Sequence, residues 1–311
     1  MANPITRSEQ IERLLDRVAG VHTGGGDPRT KQIVRRVVSD LFKTIEELDV
    51  TPDEYWAAVS YLTALGQSRE TALLSPGLGF DHFIDILTDA KDREAGLSAG
   101  TPRTIEGPLY VAGAPRAKGE ARLDDGTEQG ETLFMRGRVR STDGTSVDGA
   151  LVEVWHADTK GNYSFFDPTQ SPFNLRRSIE TTHDGSYAFR TIMPAGYACP
   201  PDGPTQQLLD RLGRHGRRPA HIHFFVSAPG HRHLTTQINI SDDPLVNDDF
   251  AFATRDGLIP ELVRNYDPQE IERRGLIGPF AEITFDFVLQ AMAPGVPDAE
   301  VHRERATAKA A

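Results

Sequence analysis

The sequence changes character near residue 100, and this change restricts the chain to folds that combine helices with a separate β-rich part. Before Gly100, apolar residues recur at helical spacing, and turn signals such as Gly24–Pro28 separate the helical stretches. Beyond it, short runs rich in Val, Phe, Tyr and Thr alternate with Asp-Gly pairs at 125–126, 143–144 and 184–185, as between antiparallel strands. The sequence therefore predicts a mixed α and β fold in which a helical N-terminal domain precedes a mostly antiparallel β-sandwich.

The same pattern divides the chain into three parts. We expect a helical domain over residues 1–100, a β-sandwich domain over 101–295 and a polar tail over 296–311. The strands expected in the β-sandwich are Thr132–Arg140, Ala150–His156, Ser186–Ile192, Ala220–Ser227, Leu234–Ile240 and Phe280–Leu289.

Local signals predict where individual helices begin. Residues 6–9 resemble a capping box, and residues 51–54 combine a cap hydroxyl, a proline at the first helical position and an acid at the third. The segment 73–79 contains Pro and several Gly, so we expect a loop there, followed by a helix through Phe83 and Leu87.

Charge and cysteine content disfavour several classes of protein. The 311 residues contain 34 Lys and Arg against 45 Asp and Glu, a net charge of −11, which disfavours nucleic acid or an anionic membrane surface as the main partner. Cys199 is the only cysteine, so no intramolecular disulfide or Cys-rich zinc site is expected. The sequence shows neither the apolar core of a signal peptide nor an apolar run near the ~18 residues of a membrane span. We therefore expect a cytoplasmic protein.

The most informative local feature is a pair of histidines two residues apart, His221 and His223. Residues two apart on a strand point to the same side, so both imidazoles are expected on one face, where they could bind a metal ion. Two packed, hydrogen-bonded histidines on a half-buried strand are the alternative. His231 and His233 have the same spacing but follow a Pro-Gly pair and flank Arg232, so we expect a solvated turn there.

Two tyrosines in irregular segments could complete such a site. Tyr163 follows a predicted strand, and Tyr197 lies in a segment too rich in Pro and Gly to be regular. A phenol has a pKa near ~10, so a tyrosinate at neutral pH needs a strong Lewis acid beside it. Fe(III) is the hard ion that favours two phenolates together with two imidazoles. The alternative for each tyrosine is an aromatic ring with a hydrogen-bonded hydroxyl.

Three motifs together carry a specific resemblance: Gly-Asn-Tyr-Ser at 161–164, Pro-Ala-Gly-Tyr at 194–197 and Arg-Pro-Ala-His-Ile-His at 218–223. With the flanking segments they resemble the intradiol ring-cleaving dioxygenases, and within that family the catechol 1,2-dioxygenases. The resemblance extends over residues from about 30 to about 290.

This resemblance implies a site and a cofactor. It implies one non-haem Fe(III) ion per subunit, with no organic cofactor, bound by Tyr163, Tyr197, His221 and His223. It also implies catalytic roles for Arg218, Gln237 and Tyr197. The positions that match the family's substrate pocket are Leu73, Pro76, Ile105, Gly107, Pro108, Leu109, Cys199, Arg218 and Phe250.

The resemblance further implies a reaction and an assembly. The reaction is the cleavage of catechol by O2, between its two hydroxylated carbons, to cis,cis-muconate, in aromatic-compound degradation by the β-ketoadipate pathway. The assembly is a homodimer formed through the N-terminal helices, with a phospholipid at the interface. The alternatives are the same chemistry on hydroxyquinol or a chlorocatechol, a β-sandwich binding module without activity, and an Fe(II) oxygenase with two histidines and a carboxylate.

Five residues near these motifs have their own expected roles. Strict alternation along a strand puts Arg218 on the face opposite His221 and His223, unless Pro219 bends the chain. Cys199 is expected to be a small apolar wall of the pocket. His156 is expected to be structural. Asp248 and Asp249 suggest either a cation site or, as we prefer, a helix cap.

Overall fold

The computed structural model describes residues 4–127 and 129–307. Contacts divide the chain into two compact units, Met1–Gln67 and Ser68–Ala311. The boundary expected near residue 100 from the change in sequence pattern stays a prediction. In the described ranges, no helix is long and apolar enough to cross a membrane.

The first unit consists of helices whose N-termini are capped by side chains. The elements are a short 3-10 helix, Ile5–Arg7, followed by α1 Glu9–Val18, α2 Pro28–Glu47 and α3 Pro52–Gln67. The predicted start of α3 is confirmed, because the Thr51 hydroxyl accepts from the Glu54 amide at 3.3 Å and the Glu54 carboxylate accepts from the Thr51 amide at 2.9 Å.

The capping box predicted at residues 6–9 is wrong. Thr6 lies inside the 3-10 helix, and its amide donates to the Glu46 carboxylate at 2.9 Å. The N-cap of α1 is Ser8, whose backbone is extended and whose side chain accepts from the Ile11 amide at 3.4 Å. The cap is therefore two residues later than the sequence pattern indicates.

The second unit begins with two helices and continues as a strand-rich part that contains two further helices. Its helices are α4 Thr71–Gly77, α5 Phe80–Glu94, α6 Pro204–Arg211 and α7 Pro268–Arg273. Its strands are β1 Val111–Ala112, β2 Arg116–Lys118, β3 Glu120–Arg122, β4 Thr132–Ser141, β5 Leu151–His156, β6 Arg176–Glu180, β7 Ser186–Ile192, β8 Tyr197–Ala198, β9 Arg217–Arg218, β10 His221–Ser227, β11 Leu234–Asn239, β12 Val263–Asn265, β13 Phe280–Thr284, β14 Phe287–Leu289 and β15 Ala306–Thr307.

Two mixed sheets form a β-sandwich, which confirms the predicted fold class except that the pairing is less antiparallel than expected. One sheet has the order β11-β10-β5-β6-β2, and the other has the order β12-β13-β4-β7-β3 with β14 also beside β4. The longer central pairs are antiparallel, but β13 and β14 run parallel to β4, as does β3 to β7 and β2 to β6. The Asp-Gly pair at 143–144 closes a short antiparallel pairing, in which Arg140 is bridged to Ser146 and the Ser141 amide donates to the Thr145 carbonyl at 2.8 Å. The pair at 184–185 instead lies between β6 and β7, which belong to different sheets.

The sandwich core explains the orientation of β10. Ile222, Phe224 and Val226 are buried in the cluster between the two sheets. Because side chains alternate along a strand, His221 and His223 point to the other face of the same sheet. β10 is hydrogen-bonded to β5 on one side and to β11 on the other, which fixes this register.

The loop predicted at residues 73–79 is wrong, because most of this segment belongs to α4. Pro76 lies in the last turn of this short helix, where it removes a single backbone hydrogen bond. The amides of Leu78 and Gly79 donate to the carbonyls of Leu74 and Pro76 and close the helix end. The proline is therefore tolerated, and Gly79 begins the next turn with a φ of +78°.

The strand predicted at Phe280–Leu289 is interrupted at Phe285 and Asp286, so it forms β13 and β14. The Phe285 carbonyl packs directly on Gly137 of β4: a Cβ added there would lie 1.7 Å from this oxygen. The Tyr187 hydroxyl donates to the same carbonyl at 2.8 Å. The interruption therefore requires a glycine at position 137.

Part of the segment expected to be a polar tail is paired with the sandwich domain. β15 runs parallel to β1, and Arg303 and Arg305 form ion pairs with Glu106 at 2.9 and 3.2 Å. The Arg305 guanidinium also lies over the Phe225 ring, 4.9 Å from its centroid. The described end of the chain thus holds the segment that precedes β1.

Replacing Gly137 by Ala should destabilise the second unit strongly. The added methyl group cannot avoid the Phe285 carbonyl, so we expect the free energy of unfolding to fall by about 3 kcal/mol in chemical denaturation. Gly278→Ala is the matched control, because nothing lies within 4 Å of a Cβ at that position. It should change the free energy of unfolding by less than about 0.5 kcal/mol. Equal effects of the two substitutions would contradict the proposed steric cause.

Candidate metal centre

Two histidines and two tyrosines that are distant in sequence lie together on the outer face of the β10 sheet. His221 Nε2 lies 3.0 Å from His223 Nε2 and 3.5 Å from the Tyr163 hydroxyl. The Tyr197 ring lies edge-on to the Tyr163 ring at 5.6 Å and tilted against the His221 ring at 5.4 Å. The four side chains that the sequence analysis singled out are therefore brought together.

A close approach of two loops places the tyrosines side by side. Gly161 has a φ of +85°, and a Cβ there would lie 2.9 Å from both the Gly196 carbonyl oxygen and the Tyr197 Cβ. The Asp158 carboxylate accepts from the amide of Asn162 at 2.8 Å and shapes the loop that leads to Tyr163. Only a glycine at position 161 permits this contact, which explains the Gly-Asn-Tyr part of the first motif.

Burial keeps both imidazoles neutral. His221 and His223 are each 1% exposed. Burial, together with the charge of Arg218, lowers the pKa of His221 to about 3, and burial and His221 lower the pKa of His223 well below its usual range. His221 Nδ1 lies 2.7 Å from the Pro219 carbonyl, which can only accept, so this nitrogen carries the proton and Nε2 carries the lone pair. The Trp155 ring stacks on His223 at 5.0 Å and fixes its orientation.

Arg218 lies with the histidines and not on the opposite face, so the expectation from strict strand alternation is wrong. β9 ends at Arg218 and β10 begins at His221, because the chain changes direction at Pro219. Arg218 Nη1 donates to His221 Nε2 at 3.0 Å and to the Tyr197 hydroxyl at 3.3 Å. Its Nη2 donates to the Gln237 side-chain carbonyl at 2.8 Å.

Asp249 is a residue of this site that sequence reasoning missed. Its carboxylate forms an ion pair with Arg218 at 3.0 Å, and the two side chains are 1% and 3% exposed. The helix cap expected at Asp248 and Asp249 is wrong, because no helix follows in residues 250–262. The only available signal was the acidic pair itself, and nothing in the sequence connected it to an arginine 31 residues away.

The donor set fits a hard trivalent cation. In the described part of the chain, no group of three or more His, Cys, Asp or Glu residues could hold a metal ion, so the two histidines have phenols and not carboxylates beside them. Burial and the neighbouring Tyr197 raise the pKa of Tyr163 well above its ordinary value, so its phenol stays protonated in the absence of a cation. A bound Fe(III) ion would stabilise the phenolate, and the neutral imidazoles supply nitrogen lone pairs.

Four of the positions expected to form a substrate pocket pack against one another. Ile105, Cys199 and Phe250 belong to one buried apolar cluster, against which Leu73 packs. Burial raises the pKa of the Cys199 thiol to about 12, so it is an inert apolar wall and not a nucleophile.

Of the other expected pocket positions, Gly107 and Leu109 lie close to the donor side chains. A Cβ at Gly107 would lie 3.6 Å from the His223 ring, and Leu109 packs on the aromatic cluster that contains Tyr163. Pro108 between them is exposed. Pro76 lines a cavity of about 860 Å³ that also borders Ile105 but none of the four donor side chains.

Two other histidine groups are placed outside the centre. Both ring nitrogens of His156 lie 2.7 Å from a partner, the Ala157 carbonyl and the Thr191 hydroxyl, as expected for a structural residue. The solvated turn expected at 231–233 is wrong, because Arg232 is 4% exposed and pairs with Asp92.

Comparison with known proteins identifies the family. Residues 105–291 match the model of the Dioxygenase family, and residues 27–96 match that of the catechol dioxygenase N terminus. Catechol 1,2-dioxygenase of Acinetobacter baylyi is 55% identical over 97% of this chain and 98% of its own. The solved structure of catechol 1,2-dioxygenase from Acinetobacter sp. ADP1, inhibited by bound mercury, matches with a TM-score of 0.93 at 54% identity, covering 98% and 99% of the chains.

A hydroxyquinol 1,2-dioxygenase of Rhizobium sp. is 37% identical over 85% of this chain and 90% of its own. The fold and these matches define an oxidoreductase of the dioxygenase class. The chain belongs to the intradiol ring-cleaving dioxygenases, within which it is most similar to the catechol 1,2-dioxygenases. The resemblance inferred from the three motifs is thereby confirmed.

Replacing His223 by Ala should reduce iron binding, because it removes one of four converging donors. We expect the iron content after dialysis to fall to less than about a tenth of the wild-type value, since loss of a ligand is more severe than the 10–100-fold loss seen for outer partners of a ligand. His233→Ala is the matched control from the second histidine pair and should retain the wild-type content. Equal iron contents in the two variants would show that the wrong pair was chosen.

Proposed function

We propose that this protein cleaves catechol with O2 between the two hydroxylated carbons and releases cis,cis-muconate, using one non-haem Fe(III) ion per subunit. The observation that carries the proposal is the convergence of Tyr163, Tyr197, His221 and His223 beside Arg218 in a buried cluster. When bound, the ferric ion would act as a Lewis acid toward the diol and as a template for it. Both oxygen atoms of O2 enter the product, so the reaction needs no reductant.

Tyr163 and Tyr197 have different environments, and we assign them different tasks. Tyr163 is 4% exposed and would hold the metal ion throughout the reaction, whereas Tyr197 is only partly buried. The Tyr197 hydroxyl also accepts a hydrogen bond from Arg218 Nη1 at 3.3 Å. Tyr197 is therefore the residue that can leave its position and accept a proton at Oη from an incoming catechol hydroxyl.

Arg218 supplies a fixed positive charge next to the donors. Its guanidinium is held by the Gln237 carbonyl oxygen at 2.8 Å, and the Gln237 amide nitrogen donates in turn to Asn239 at 3.1 Å. A charge held in this way needs no reorganisation when negative charge develops on the substrate. Gln237 acts by orienting Arg218, which is a narrower role than a direct contact with the substrate.

The pocket composition favours catechol over diols that carry a further polar group. Leu73, Ile105, Cys199 and Phe250 present apolar surface, which excludes water from the ring of the substrate. The third hydroxyl of hydroxyquinol would lose its hydrogen bonds to water against such a surface. The higher identity to the catechol 1,2-dioxygenase than to the hydroxyquinol 1,2-dioxygenase supports the same preference.

Incubation of the iron-loaded protein with catechol under ¹⁸O₂ tests the proposed reaction. We expect cis,cis-muconate that contains two labelled oxygen atoms, identified by mass spectrometry. Hydroxyquinol and a chlorocatechol, offered at the same concentration, should have a lower kcat/KM by about tenfold or more, since poor fit in an apolar pocket costs ~1–3 kcal/mol. Ring opening beside the hydroxyl groups, or the absence of O2 uptake, would contradict the proposal.

We also propose a cytoplasmic homodimer formed through the N-terminal helices, with a phospholipid held at the interface. The support is the apolar surface of α2, on which Val37 and Leu41 are 51% and 56% exposed. The single cysteine is compatible with a reducing compartment.

Leu41→Glu should shift the protein to monomers, because it places a charge in the proposed apolar interface. Gln32→Glu, at an exposed position on the opposite face of the same helix, should remain dimeric. Light scattering after size exclusion measures the mass, and mass spectrometry of an organic extract of the wild type tests for the phospholipid. A wild type that is monomeric at all concentrations contradicts the dimer, and an extract without phospholipid contradicts the lipid.

A further inference from the structure

Arg218 and Asp249 form a buried ion pair, and the Asp249 carboxylate binds one particular edge of the guanidinium. The Asp249 carboxylate binds two nitrogens of Arg218, with Nε donating to Oδ1 at 3.1 Å and Nη2 donating to Oδ2 at 3.0 Å. This two-point contact is the strongest and most directional arrangement for an arginine and a carboxylate. It leaves Nη1 as the nitrogen that faces His221 and Tyr197.

The carboxylate itself is fixed from behind. Oδ1 of Asp249 also accepts from the Ala251 amide at 3.0 Å, so the side chain is tied to its own turn. The backbone of the next residue is held as well, because the Phe250 amide donates to the Arg217 carbonyl at 3.1 Å. Asp249 thus has a defined position before it contacts Arg218, and a fixed carboxylate orients the guanidinium with little loss of entropy.

Asp249 also neutralises the charge of Arg218 at a position that solvent does not reach. Both side chains are at least 97% buried, so solvent screens an uncompensated charge at this position only weakly. Without Asp249, Arg218 would place a full positive charge beside the four donors. That charge would repel a cation bound by them, and the guanidinium would lose its orientation.

We propose that Asp249 is a positioning residue for the reaction: it aims Nη1 of Arg218 at the substrate position and neutralises the arginine charge next to the metal site. This role rests on the proposed function, in which Arg218 stabilises the negative charge that develops on the diol. Asp249 itself contacts neither Tyr163 nor Tyr197 among the hydrogen bonds of the described residues; it acts through Arg218.

Asp249→Asn keeps the size of the side chain and removes its charge. We expect kcat to fall by about 10- to 100-fold, the loss typical of a misplaced catalytic group. The iron retained against a chelator should also fall, because the uncompensated arginine repels the cation. The second measurement needs no turnover, so it tests the role of Asp249 even if the wild type does not cleave catechol.

Asp92→Asn is the control, because Asp92 forms a similarly buried ion pair with Arg232, with side chains 8% and 4% exposed, outside the candidate metal centre; Asp92 also pairs with Arg103. It should lower thermal stability but leave kcat and iron retention within about twofold of the wild type, since Asp92 contacts no group of the site. If Asp249→Asn has no more effect than Asp92→Asn on both quantities, the proposal is wrong.

A double-mutant cycle separates positioning from a general structural effect. In an Arg218→Ala background, Asp249→Asn should cause no further loss of kcat, because the residue through which it acts is absent. The same fold-loss in both backgrounds would overturn the proposal.

Should Asp249→Asn fail to fold, Asp249→Glu is tested instead: it keeps the charge and displaces the carboxylate, so iron retention should match the wild type while kcat falls. An unchanged kcat in Asp249→Glu would overturn the positioning role.

Discussion

The central position of β10 in its sheet is the constraint on which the site depends. One face of this strand contributes Ile222, Phe224 and Val226 to the core, so a slip by one residue would bury the histidines between the sheets. Pairing with β5 and β11 on both sides prevents such a slip. The same apolar packing that stabilises the sandwich therefore holds His221 and His223 on the opposite face, and the site needs no separate device to orient its strand.

Loops bring the rest of the site to this strand. Their approach depends on a glycine and on an interruption between two strands. Gly161 allows the Tyr163 loop to touch the segment before Tyr197. Pro219 separates β9 from β10 and turns Arg218 to the face of the histidines. At each feature the regular backbone hydrogen bonds of a strand are lost locally. This is tolerated because the sandwich beneath is rigid.

The sequence predicted the parts of this arrangement that depend on local periodicity and failed where distant segments decide. Strand alternation was enough to place His221 and His223 together. It gave the wrong face for Arg218, because the effect of Pro219 on the strand depends on the pairing of β9 with β8. The partnership of Arg218 with Asp249 was not predictable, since a contact across 31 residues leaves no periodic trace in one sequence. The parallel pairing of β13 and β14 with β4 was missed for the same reason: strand pairing is a property of the topology and not of the segment.

The described end of the chain contacts a segment that borders the pocket. Arg303 and Arg305 both pair with Glu106, and Arg303 also donates to the Gly107 carbonyl. Glu106 and Gly107 lie between Ile105 and the residues that pack on the aromatic cluster of the site. Because these residues form no regular strand, their position depends on such contacts and not on a sheet. The segment expected to be a solvated tail therefore contributes to the shape of the pocket, although none of its residues contacts the four donors.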